Sequence, residues 1–153
     1  MTITRHMLAP LRQAARILTG STYVLLGFDA LREPGGRVAQ AAPLLATIRK
    51  QVPLPADDEL MVRGNAAVMV AAGALLMLGR APRLSALALA GSLVPTTLAG
   101  HSYWAAGDPA ARKAQRIQFH KNMAMLGGLL FAVLDGKDCP ERRHAIGTAS
   151  SAG

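Results

Sequence analysis

Residues 60–78 read LMVRGNAAVMVAAGALLML, nineteen positions whose polar side chains, Arg63 and Asn65, both fall near the start. A helix rises about 1.5 Å per residue, so the stretch covers roughly 28 Å, close to the ~30 Å hydrocarbon core of a bilayer. It reads as a membrane span. Residues 84–104 form a second such stretch with Pro95 inside it, where a missing backbone donor predicts a kink. Residues 117–134 form a third. Asp108-Pro109 ahead of it matches an N-cap followed by proline at the first helical position, so that helix is expected to start near Pro109. Earlier in the chain, residues 11–31 are long enough to span provided that Arg12 and Arg16 reach back toward head groups.

The expected fold is therefore all-α: an integral membrane four-helix antiparallel bundle, one domain over 1–153, with a polar tail at 136–153. Between the first two spans, Val38, Leu45 and Val52 recur at sevens with Ala41 and Ile48 between them. This pattern predicts a short amphipathic helix, lying on the membrane surface or capping the helices. Ala39-Gln40-Ala41 has the small-x-small shape of a signal-cleavage site, but it lies too far beyond the first apolar run to serve as one. Gly20, Gly27, Ala67, Ala71, Ala86, Ala90, Gly127 and Gly128 are read as packing positions, because helices in lipid associate through close backbone approach.

Composition agrees. The chain is 51% hydrophobic and only 17% charged, with a mean hydropathy of +0.25; soluble domains usually carry about 25% charge. The formal net charge is +8, from 17 Lys and Arg against 9 Asp and Glu. These basic residues flank the apolar runs, as at Arg12 and Arg16, Arg80 and Arg83, and Arg112, Lys113 and Arg116. That is the pattern of contact with membrane lipid head groups. No basic stripe interleaved with aromatics offers a stacking platform, which argues against a nucleic-acid partner. The lone cysteine, Cys139, excludes an intrachain disulfide and a CxxC pair. Motifs for phosphate binding, zinc hydrolysis and nucleophilic catalysis are missing, and of the four histidines, two toward each side, His101 with His120 is the one pair that suits a haem, which argues against one.

The informative feature is where the polar residues fall. Alternating chain direction places the ends of spans one and three beside the starts of spans two and four. Asp29, Arg63, Asn65, His101, His120, Lys121 and Asn122 are thus all expected toward the face opposite the termini. In one reading they are structural, with Asp29 paired to Lys121 or Arg63 because an unpaired charge at that depth is costly. In the other, Asp29, Arg63, Asn65, His101, Lys121 and Asn122 line a shallow pocket for a quinone head group, a proton or a small anion. An aromatic belt of Phe28, Tyr103, Trp104 and Phe119 is expected at the same level.

Tyr103-Trp104, Asp108-Pro109, Arg112, Gln115, Gln118-Phe119, Lys121-Asn122 and the run Leu126 to Leu130 resemble the signature of the DoxX family, as do Arg16-Ile17-Leu18, Gly27-Phe28 and Leu31. The block from Phe119 to Gly128 is the most specific part. Near Arg63 and Asn65 the chain departs from relatives that often carry an acidic residue there. The resemblance implies a four-helix membrane protein acting as an accessory or anchoring subunit of a membrane redox or oxidative-stress complex, with protein partners in that complex. The alternative it implies is a quinone-interacting subunit similar to the membrane part of thiosulfate:quinone oxidoreductase, with quinone as its cofactor. A small transporter component ranks last, since no span carries an ionisable residue at mid-bilayer. A multi-pass protein of the cell membrane with both termini cytoplasmic is expected from the family and the basic N-terminal region, as the Lys and Arg other than Arg63 and Lys121 divide eight to seven between the two sides.

Overall fold

The computed structural model describes residues 3–135, and every regular element among them is helical. Helix α1 covers Ile3–Arg32, α2 Gly35–Arg49, α3 Asp58–Met77, α4 Pro82–Gly100 and α5 Pro109–Asp135, with a 3-10 turn at Tyr103–Ala105. The polar tail expected over 136–153, with Cys139, lies outside the described residues.

Local chemistry explains the helix boundaries. Asp57 caps α3, its carboxylate accepting from the Leu60 amide at 3.1 Å, and Asp58 and Glu59 in the first turn complement the helix dipole. Asp108 does the same for α5, accepting from the Ala111 amide at 2.7 Å, so that helix begins at Pro109 as its sequence predicts. Between α3 and α4 the chain reverses within a few residues. Gly79 takes a positive φ of 66° there, and Pro82, with its pre-set φ, opens α4. Helix α4 continues through Pro95 but stops at Gly100 rather than at 104, so His101 is its C-cap.

Among the described residues, three helical stretches are long and apolar enough to cross a membrane: Asp58–Met77, Pro82–Ala105 and Pro109–Leu134. They coincide with three of the four expected spans. The remaining one, 11–31, lies within α1, which is 30 residues long but not apolar enough by the same measure. Arg16, Asp29 and the hydroxyls of Thr19, Ser21 and Thr22 dilute it. Many of its outward side chains are nevertheless large and apolar, as are those of its neighbours: Leu18 is 70% exposed, Leu84 68% and Phe131 75%. An apolar exterior of this kind suits a lipid surround rather than water.

Consecutive long helices run antiparallel. Gln13 donates to the Met77 carbonyl at 2.8 Å near one end of the α1–α3 pair, and Arg63 donates to the Leu31 carbonyl at 2.6 Å at the other. Between them the backbones approach closely. A Cβ added at Gly20 would lie 2.5 Å from the Gly73 carbonyl oxygen, and one at Gly27 would lie 2.8 Å from that of Ala66. Helix α4 packs on both α3 and α5. Tyr23, Met69, Leu76, Leu89, Leu93 and Leu129, drawn from all four long helices, make up much of the buried centre.

The expected linking helix is α2, which lies against α3 and α4. Leu45 is buried there, with Val38, Ala41 and Ile48 half-buried one or two turns away, whereas Val52 lies beyond the helix and is exposed. Arg49 ties its end down, bonding Asp58 at 2.5 Å and the Pro55 carbonyl at 2.7 Å. Only part of the small-residue set packs as expected. Gly20, Gly27, Ala86 and Ala90 do, but Ala67 and Ala71 are exposed, and a Cβ at Gly127 or Gly128 would meet nothing within 4 Å. The difference is rotational: those residues lie on helix faces turned away from a neighbour.

Candidate functional site

The six polar residues singled out by sequence part into two groups. Asn65, His101 and Asn122 line one cavity of about 470 Å³. Arg63, Asp29 and Lys121 do not.

Arg63 belongs to the helix scaffold. Its Nε donates to Glu59 Oε1 at 2.8 Å, one turn back on α3, and its Nη1 closes the last turn of α1 through the Leu31 carbonyl. An arginine at a helix C-terminus satisfies a carbonyl that has no intrahelical donor and complements the dipole. Asp29 and Lys121 are exposed, and Asp29 joins no ion pair with Arg63 or Lys121. The expected charge pairing is therefore corrected: helix ends supply Arg63 with nearer acceptors, and the other two side chains point outward. The aromatic belt holds in part. Tyr103, Trp104 and Phe119 form an edge-to-face cluster with centroids 5.2–6.0 Å apart, while Phe28 sits apart beneath the Arg32 guanidinium at 4.2 Å. His120 is exposed beside Phe119.

Neutral polar groups hold the cavity's Asn65, Thr96, His101 and Asn122 in place. Ser92 Oγ donates to Asn65 Oδ1 at 2.8 Å, Asn65 Nδ2 donates to Thr96 Oγ1 at 3.1 Å, and Thr96 Oγ1 donates to the Ser92 carbonyl at 2.8 Å. This ring joins α3 to α4. One residue further along α4, Asn122 Nδ2 donates to Thr97 Oγ1 at 3.0 Å, and the Thr97 hydroxyl donates to the Leu93 carbonyl at 2.8 Å, joining α5 to α4. At the end of α4, His101 Nδ1 lies 2.8 Å from Gln115 Oε1. With the amide oxygen as acceptor, Nδ1 carries the proton and Nε2 of the neutral ring is left as an acceptor.

Tyr23 also lines the cavity. It is fully buried, and its hydroxyl has no protein partner. Helix α2 covers another side with Gln40, Leu44 and Leu45. Arg37 of α2 lines the cavity as well, and the rest of the wall is apolar with a few convergent neutral donors and acceptors, the make-up of a small-ligand site. Among the described residues no group of three His, Cys, Asp or Glu could hold a metal.

Sequence reasoning missed Tyr23, Ser92, Thr96 and Thr97. A signal was available: Ser92 and Thr96 recur one turn apart on an otherwise apolar helix, and Tyr23 interrupts an apolar run. Isolated hydroxyls are common in spans, however, and only the facing amides reveal which ones are shared between helices.

The model of the DoxX family matches residues 11–102. The chain belongs to the DoxX family. The match runs from α1 through α4 and includes Tyr23, Asn65 and His101 of the cavity. It stops short of Asn122 and of the block from Phe119 to Gly128 on which the resemblance leaned most. No curated protein and no solved structure matches the chain. Family and apolar helices together make this DoxX-family chain a membrane protein.

Proposed function

We propose that this DoxX-family chain is the membrane subunit of a redox assembly and that its interhelical cavity receives a quinone head group. The observation that carries this reading is Tyr23: a buried hydroxyl without a protein partner, on the wall of a cavity of about 470 Å³. A buried unsatisfied polar group costs roughly 1–3 kcal/mol, which a ligand hydrogen bond at that position offsets. Quinones are flat, uncharged and lipid-soluble, and present carbonyl acceptors that become hydroxyl donors on reduction. The wall suits both forms. Asn122 has a second amide hydrogen beyond the one given to Thr97, and Tyr23 has its unpartnered hydroxyl hydrogen, so two lining residues have a donor to offer an oxidised head group. His101 Nε2 is an acceptor for a quinol hydroxyl.

In this reading α1 is a fourth crossing, its Arg12 and Arg16 at head-group level, and the chain is multi-pass with both termini on the cytoplasmic side. The full chain, purified in mild detergent, is expected to bind a short-chain benzoquinone saturably. Tyr23→Phe and Asn122→Leu each weaken that binding by roughly ten-fold, the worth of one hydrogen bond to a desolvated group. Wild-type protein with no saturable binding sinks the quinone reading. Recovery of soluble redox enzymes with such a protein would leave it an anchoring subunit; recovery of the chain alone would remove the redox assembly as well.

A further inference from the structure

A second cleft lies at the other end of the molecule, where α1 and α5 scarcely touch. Its volume is about 610 Å³. Arg12, Arg16 and Thr19 form one wall, at i, i+4 and i+7 along α1, so the wall is about 10 Å long. Phe131 and Leu134 of α5 form the facing wall, 75% and 74% exposed, and buried Leu76 forms the floor. The lining therefore changes along its length from guanidinium to hydrocarbon.

Charge is distributed unevenly around it. Arg16 is half-buried, its guanidinium beside the α3–α4 turn: a Cβ built on Gly79 would lie 3.2 Å from its Nη1. Arg80 and Arg83 belong to the same end. Asp29, Glu33, Asp57, Asp58, Glu59 and Asp108 lie at the opposite end, while Asp135 ends α5 at this one, directly after Leu134. Arginine binds phosphate by a planar fork of donors, and a half-buried guanidinium loses less to competing water than an exposed one.

We infer that this cleft is a binding site for an anionic phospholipid. The head-group phosphate meets Arg16, and one acyl chain lies along Leu76, Phe131 and Leu134. The lipid fills the space that α1 and α5 leave between them, which ties α5 to the rest of the fold. This site is separate from the quinone cavity and does not depend on it.

The test uses the full chain in mild detergent, with bound lipid read by native mass spectrometry. Wild-type protein is expected to retain phosphatidylglycerol in preference to phosphatidylcholine, and excess inorganic phosphate is expected to leave that lipid in place. Arg16→Gln lowers retention roughly five-fold, the contribution of one arginine at a lipid surface. Gly128→Leu, at a position where an added Cβ meets no protein atom, puts a side chain in the cleft and lowers retention without disturbing a packed contact. Arg116→Gln at the opposite end leaves retention unchanged. Helical circular dichroism reports folding for each variant, and if Arg16→Gln fails to fold, Gly128→Leu decides. Equal retention of the two lipids, displacement by inorganic phosphate, or undiminished retention in Gly128→Leu would overturn the inference.

Discussion

Helix α1 meets two neighbours in very different ways. Against α3 it closes to backbone contact, with Gly20, Gly27 and Gly73 standing where no side chain fits. Toward α5 it leaves a cleft that Gly128 lines, and a Cβ added at Gly127 or Gly128 would meet nothing within 4 Å. The same residue type thus serves two purposes. In lipid, helix association rests on dispersion and interhelical hydrogen bonds, so a glycine matters only where another backbone is close enough to use it. The tight seam holds α1 in place. The loosely joined side holds the cleft lined by Arg12 and Arg16.

The largest expected effect breaks the seam. Gly73→Val places a branched side chain against the Gly20 carbonyl, whose oxygen would lie 2.8 Å from the new Cβ, and is expected to cost about 3 kcal/mol in a detergent melt. The matching change on the open side, Gly127→Ala, is expected to gain about 0.5 kcal/mol through helix propensity alone. Similar losses at both positions would mean that α5 is packed as closely as α3.

Asn65→Leu comes next. It leaves buried Ser92 and its neighbour Thr96 without their shared partner and is expected to cost about 2 kcal/mol, with α3 and α4 loosened. A melt unchanged by this substitution would show that the amide ring does not hold the helices. Smaller still is Arg63→Met, which frees the Leu31 carbonyl and the Glu59 carboxylate. Both groups are partly exposed, so about 1 kcal/mol is expected from the same melt. Last are Asp29→Asn and Lys121→Gln, singly and together. Neither forms an ion pair, so each is expected within about 0.5 kcal/mol of wild type and the double variant to be additive. A coupling above that level would restore the pairing first expected from the sequence.

Much of the candidate site was legible in part. Chain reversal alone put Asn65, His101 and Asn122 at one end of the molecule, and all three line the cavity. The same reasoning placed Asp29, Arg63 and Lys121 beside them at the correct level but on the wrong side of their helices. Depth follows from counting residues at a fixed rise. Azimuth does not, because a helix turns about 100° per residue and a slip of one position carries a side chain from cavity to exterior. Tyr23 was missed for the same reason: in a row of apolar residues nothing distinguishes an inward hydroxyl from an outward one.

By itself the sequence determined the helical class, three apolar stretches of spanning length, the start of α5 at its Asp-Pro pair, and membership of the DoxX family. These depend on composition, periodicity and local hydrogen bonding, all of which lie within a few residues of one another. Only the tertiary structure decided which glycines are pressed against a neighbour, which amides are shared between helices, and that α2 covers a cavity. Those features depend on how far each helix is rotated about its axis. In lipid, no difference between apolar faces and their surroundings sets that rotation, so it is fixed by the packing of all the helices together.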